Sequence, residues 1–164
     1  MSYPNGPQGH TMAGAAYNMA SAADTACILT PVFPVEIISF GFIVTTALVS
    51  ATEFVAKLDL RPSAGSDTSR GDGDLGTLTL TAAQIVIATA VGSVVRSRPD
   101  TLSTAFVTAS PGPVEGAMVV LPGQQAVIQV TTALATSGQG IPFIEYRFLP
   151  KADRASTIEV VVKE

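Results

Sequence analysis

The fold class this sequence predicts is all-β: the antiparallel strands of a sandwich or barrel, in a single domain behind an extended N-terminal arm. Three observations lead there. Apolar and polar residues alternate with a period of two in segment after segment. Gly, Pro, Ser and Asp gather between those segments, as turn chemistry requires. Charge is scarce, at 13% of residues against about 25% in ordinary soluble domains. Ala, Val, Thr, Ser and Gly take its place, a mixture suited to half-buried pleated surfaces. The 164 residues suffice for one domain plus an arm, and the boundary falls after residue 25, giving an arm over 1–25 and a sandwich domain over 26–164.

The arm has no periodicity of either kind, and its small residues bury too little area to offset the entropy of ordering. It lacks the basic start and continuous apolar centre of a secretory signal. Ordering it takes contact with a neighbour, so removal of residues 1–23 is expected to spare the domain. The segment Val35–Leu48 differs from the rest: Ile37, Ile38, Phe40, Phe42, Ile43 and Val44 put apolar groups on both faces, the mark of a central or interface strand. The most apolar run, Val35 to Ala51, carries Glu36 near its start, contains several Thr and Ser, and falls short of the roughly 20 apolar residues of a membrane span, so no membrane partner is expected.

One-faced strands follow. Ala56, Leu58 and Leu60 oppose Lys57, Asp59 and Arg61. Leu78 and Leu80 alternate with Thr77, Thr79 and Thr81, and Ile128 and Val130 with Gln129 and Thr131. Ile144, Tyr146 and Phe148 alternate with Glu145 and Arg147, and Ile158, Val160 and Val162 with Glu159 and Lys163. Residues 61–76 form a Gly, Ser and Asp loop, while Pro111-Gly-Pro113, Pro122-Gly123 and Ser137–Gly140 mark further turns. Thr81-Ala-Ala-Gln84 has capping-box spacing, but the β-branched Ile85-Val86-Ile87 behind it favours an irregular segment or a strand. Val127, Phe143, Leu149 and Val161 sit on the faces assigned to water, where apolar groups call for a second sheet or a partner.

Most chemistry is excluded by what is missing. His10 is the single imidazole and lies in the arm, where no general base is held within catalytic tolerance, so no catalytic residue is nominated and an enzyme is not expected. One Cys and one His make no zinc site, and no glycine motif cradles a phosphate, so no cofactor is expected. Cys27, among apolar neighbours, reads as a small buried hydrophobe. A net charge of −4 with nine scattered Lys and Arg disfavours nucleic acid. In the 61–76 loop, Asp67, Asp72 and Asp74 offer hard oxygen ligands suited to calcium, but no downstream bidentate Glu completes an EF-hand, and a solvated hairpin loop is the plainer reading. What remains is contact surface. Tyr3, Met12, Tyr17 and Met19 are apolar anchors in an arm whose one charge is Asp24, and Phe40 and Phe42 join them as candidate contacts with sister subunits or a larger assembly.

An ordered set of short motifs brings a family into view. It comprises Ile38–Val49, Leu58-Asp-Leu-Arg61, the Ser66–Asp74 loop, Leu121-Pro-Gly-Gln124 running into Val127–Ala133, and Gly138-Gln-Gly-Ile-Pro-Phe143. Together, over roughly residues 35–164, they resemble the small capsid decoration (cement) proteins of tailed bacteriophages. The resemblance implies a sandwich or jelly-roll-like subunit on the outer surface of a virion capsid, often a homotrimer where capsomers meet. There it binds the major capsid protein and locks its capsomers together. The rival expectation is a carbohydrate-binding or tail-fibre β module, against which stand the absence of Trp and the presence of only three Tyr.

Overall fold

A computed structural model of the chain describes residues 9–21, 25–62, 74–87, 90–97 and 119–149. Within them the elements run β1 (Gly9–Ala13), β2 (Tyr17–Asn18), β3 (Thr25–Leu29), β4 (Val35–Val49), β5 (Phe54–Pro62), β6 (Asp74–Leu80), α1 (Ala82–Ile87), β7 (Val94–Ser97), β8 (Val119–Val120), β9 (Gln124–Thr132) and β10 (Ser137–Phe148). All pairings are antiparallel. One sheet runs β1-β10-β4-β7, with β2 also on β10 and β8 also on β4; the other runs β3-β9-β5-β6. Their inner faces pack together as an all-β sandwich, the fold class the alternation predicts. The expected strand at 158–162, the Pro111–Pro113 break and most of the 61–76 loop lie outside the described residues.

The 15 residues of β4 and the 12 of β10 form the spine of the larger sheet. β4 is apolar on both faces partly because its parity shifts. Tyr146 pairs with Ile37 and Glu145 with Ser39, so Ile38 is one residue too many. The buried positions are Val35 and Ile37 before this bulge and Phe40, Phe42 and Val44 after it, and Ile38 is left exposed. Across the sandwich Phe42 meets Phe54 edge to face, ring centres 5.6 Å apart. Gly41 lies where β7 crosses close: a Cβ there would stand 2.0 Å from the Val95 carbonyl oxygen. In the smaller sheet Ala56, Leu58, Leu78, Leu80, Ile128 and Val130 point inward, as their alternation indicates. Pro122-Gly123 turns the chain with Gly123 at φ +88°, but the turn passes from one sheet to the other, since β8 pairs with β4 and β9 with β3 and β5.

Two expectations need correction. The stretch after Thr81 is a helix. The Thr81 amide donates to Gln84 Oε1 at 2.9 Å and the Gln84 amide to Thr81 Oγ1 at 3.4 Å, a complete capping box. It outweighs the β-branched run, and Ile85 is buried in the core. The second concerns residues 1–25, which carry β1 and β2 along the flank of β10. An added edge strand is held by backbone hydrogen bonds, which need no side-chain periodicity. The two strands are separate for a reason visible in β10. The Pro142 carbonyl accepts from the Gly14 amide at 2.8 Å; an extended residue points its N–H to the same flank as its C=O, and proline has no N–H to offer there. The chain therefore leaves the sheet between Ala13 and Tyr17, opposite the proline. It then carries Met19 into the core, pinned by hydrogen bonds from the Met19 amide to the Gly138 carbonyl and from the Leu134 amide to the Met19 carbonyl, both 2.9 Å.

Candidate functional site

The residues nominated as contacts divide sharply. Met19, Phe40 and Phe42 are fully buried and hold the sandwich together rather than present a surface. Met12 and Tyr17 are half-buried against the same core, and the Tyr17 hydroxyl donates to the Ser21 carbonyl at 3.1 Å. Tyr3 lies outside the described residues, as do Asp67 and Asp72. Asp74 opens β6 opposite Asp59, so the loop that contains the other two joins adjacent antiparallel strands. Among the described residues no three His, Cys, Asp or Glu side chains come together to hold a metal. Val127 and Phe143, placed on wet faces by their parity, are buried outside the main core cluster.

Cys27 is buried on β3, and loss of solvation pushes its thiol up to about 11, with a smaller opposing effect from a hydrogen bond to the Ile28 backbone. Such a group stays a neutral thiol near neutral pH and offers no nucleophile.

The charged groups described on the outer faces are internally paired. On the larger sheet Arg147 bonds Glu36 across adjacent strands, the Ser39 hydroxyl donates to Glu145, and Arg96 stands 3.7 Å from Glu145. On the smaller one Arg61 donates to Asp59 at 3.1 Å and to Gln129 at 2.6 Å. Partly exposed pairs of this kind contribute little stability. They do leave these faces close to neutral.

One end of the sandwich is different. Along the inner face of β10 cover falls away step by step: Ile144 is buried, Tyr146 half-buried and Phe148 exposed. His10 on β1 pairs with Tyr146 and its ring stacks there at 5.7 Å, with the Phe148 ring edge-on at 4.9 Å. Phe33, in the β3–β4 connection, approaches Phe148 edge-on at 6.4 Å. The same connection reaches β10 again through the Leu149 amide, which donates to the Pro34 carbonyl. Leu121 borders this end because Val120 pairs with Val35. Val32 is 78% exposed, Phe33 51%, Leu121 48% and Phe148 40%. Four large apolar side chains and an imidazole thus share one end, and the charged pair described beside them, Glu36 and Arg147, neutralises itself.

Sequence reading missed this cluster, although a signal existed. Val32 and Phe33 stand between Pro31 and Pro34, and prolines on both sides keep such a pair out of a central strand, hence out of the place where apolar residues are ordinarily covered. No family model, curated protein or solved structure matches this chain.

Proposed function

We propose that this chain is a capsid decoration protein, a structural subunit that sits on the outer surface of a virion shell, contacts the major capsid protein and cements neighbouring capsomers, acting as a homotrimer. The observation that carries the reading is the exposed aromatic end built by Phe33, Phe148, His10 and Tyr146 with Val32 and Leu121. Cementing requires a rigid scaffold and one adhesive surface, and no reaction. The two-sheet scaffold with internally paired charges on its faces and an exposed aromatic end has that division of labour. The motif resemblance gives the shell as the partner.

The test is a double variant, Phe33→Ser with Phe148→Ser, bound to particles stripped of decoration. Each ring is about half exposed, so docking would remove from water about half of the 1.5–3 kcal/mol that a whole side chain is worth. The pair therefore contributes about 1.5–3 kcal/mol, and loss of both should weaken attachment on the order of 10–150-fold, with circular dichroism unchanged. Unaltered binding would sink the assignment of this end to the shell.

The same aromatic cluster favours a second reading, a carbohydrate-binding β module, since sugars are held by stacking on exposed rings. Binding of the isolated protein on a glycan array, lost in the same double variant, would favour it over cementing.

A further inference from the structure

We propose that β1 is a pairing edge through which two copies of this chain join their larger sheets into one continuous antiparallel sheet. The inference goes beyond the decoration reading and does not rest on it.

Exposed sheet edges are sites of strand addition unless something guards them: a charge, a proline, a bulge or a covering element. The edges of this sandwich are unequal in that respect. β7 carries Arg96 and is tied to β6 by the Ser97 hydroxyl donating to the Thr77 carbonyl at 3.0 Å, so these two edges close on each other. β3 is bulged at Ala26, because Thr25 pairs with Gln129 and Cys27 with the adjacent Ile128. Among the described residues β1 has none of these. Among the described residues its one strand partner is β10. Its register with β10 is unbroken over five positions from Gly9 to Ala13, it has neither charge nor proline, and all but Met12 of its residues are exposed.

The occupant follows from self-complementarity. In antiparallel pairing of β1 with a second β1 centred on Thr11, Thr11 faces Thr11 on the outer face, with Gly9 opposite Ala13 on either side. On the inner face His10 stands opposite Met12, twice. No like charges oppose each other. Cross-strand Thr pairs are favourable, and a thioether against an imidazole ring is a good contact. The inner-face row of His10, Tyr146 and Phe148 would continue across the seam into its twin, so pairing covers the imidazole exposed in the single copy. The contact is isologous and closes at two copies.

The experiment uses the full chain. Thr11→Lys sets two ammonium groups opposite each other and should halve the solution mass relative to wild type in light scattering, whatever other contacts the chain makes. Thr11→Asp should do the same, and an equimolar mixture of the two variants should restore the wild-type mass. Thr11→Cys should form a covalent dimer on mild oxidation, because opposed residues bring their Cα atoms within disulfide reach. Ala13→Cys should not, since its twin lies four residues along the pair, about 14 Å away. Cys27 is buried, and wild type serves as the control for it. Equal masses for wild type and Thr11→Lys overturn the proposal, as does equal cross-linking at positions 11 and 13. An edge occupied within one chain, or by another protein alone, would leave the Thr11→Cys variant unlinked and overturn it too.

Discussion

Met19→Ala is the sharpest probe of how the N-terminal segment belongs to the fold. Met19 is completely buried and its sulfur packs against the backbone of β10, where a Cβ on Gly140 would lie 3.1 Å from Sδ. The backbone at Met19 is tied on both sides, to Gly138 and to Leu134, by hydrogen bonds of 2.9 Å. A tethered backbone cannot follow a shortened side chain inward, so the vacated space stays largely open. Met→Ala at such a site costs about 2–5 kcal/mol, and we place this one near 3 kcal/mol. For a chain of this length that lowers Tm by roughly 6–12 °C. Urea unfolding followed by circular dichroism should show the midpoint falling at constant slope. Tyr17→Phe, which loses the half-buried hydrogen bond to the Ser21 carbonyl, should cost about 1 kcal/mol and serves as the scale. A loss below about 0.5 kcal/mol for Met19→Ala would show that the segment merely lies against the sandwich. Composition alone suggests that residues 1–23 can be removed without unfolding the domain; with Met19 at zero exposure, the same truncation empties part of the core and should unfold it.

Two further outcomes follow from burial. Val130→Asp places an unpaired carboxylate at a fully buried position of β9, costing several kcal/mol against a total stability of about 5–15 kcal/mol; soluble protein with a native spectrum would refute the facing of that strand. Cys27 should resist thiol reagents at pH 8 in the native protein and react on unfolding. Because the thiol ionises at 9.0 ordinarily and near 11 when buried, the unfolded chain loses its proton first, so stability falls as pH rises from about 9 to 11; Cys27→Ala should remove that part of the alkaline loss.

The sandwich was legible where a strand keeps one wet face. Ala56 and Leu58, Leu78 and Leu80, and Ile128 and Val130 could be assigned inward from alternation alone, and all are buried. Legibility failed where the determinant is a backbone relation between distant residues. Nothing near Gly9 to Asn18 announces a strand, because what organises that stretch is β10, more than a hundred residues later, and the break between β1 and β2 is set by Pro142. Phe40 and Phe42 misled in a related way: apolar groups on both faces of β4 suggested an interface, whereas the extra residue at Ile38 changes which parity faces inward and lets both rings enter the core.

The same logic explains why the exposed end was invisible beforehand. Tyr146 and Phe148 continue the alternation that buries Ile144, so by pattern all three are core, and the difference between them is how far the opposing sheet reaches. That reach depends on where β3 turns away at Thr30 and Pro31, and on the passage of the chain from β8 to β9 at Leu121. An amphipathic period specifies which way a side chain faces. It does not specify that anything waits on the other side. Where the period runs past the end of its cover, as it does from Ile144 to Phe148, residues that look like core by pattern become exposed apolar surface, and His10, set aside as a catalytic base because it lies in the arm, joins that surface because β1 aligns it with Tyr146.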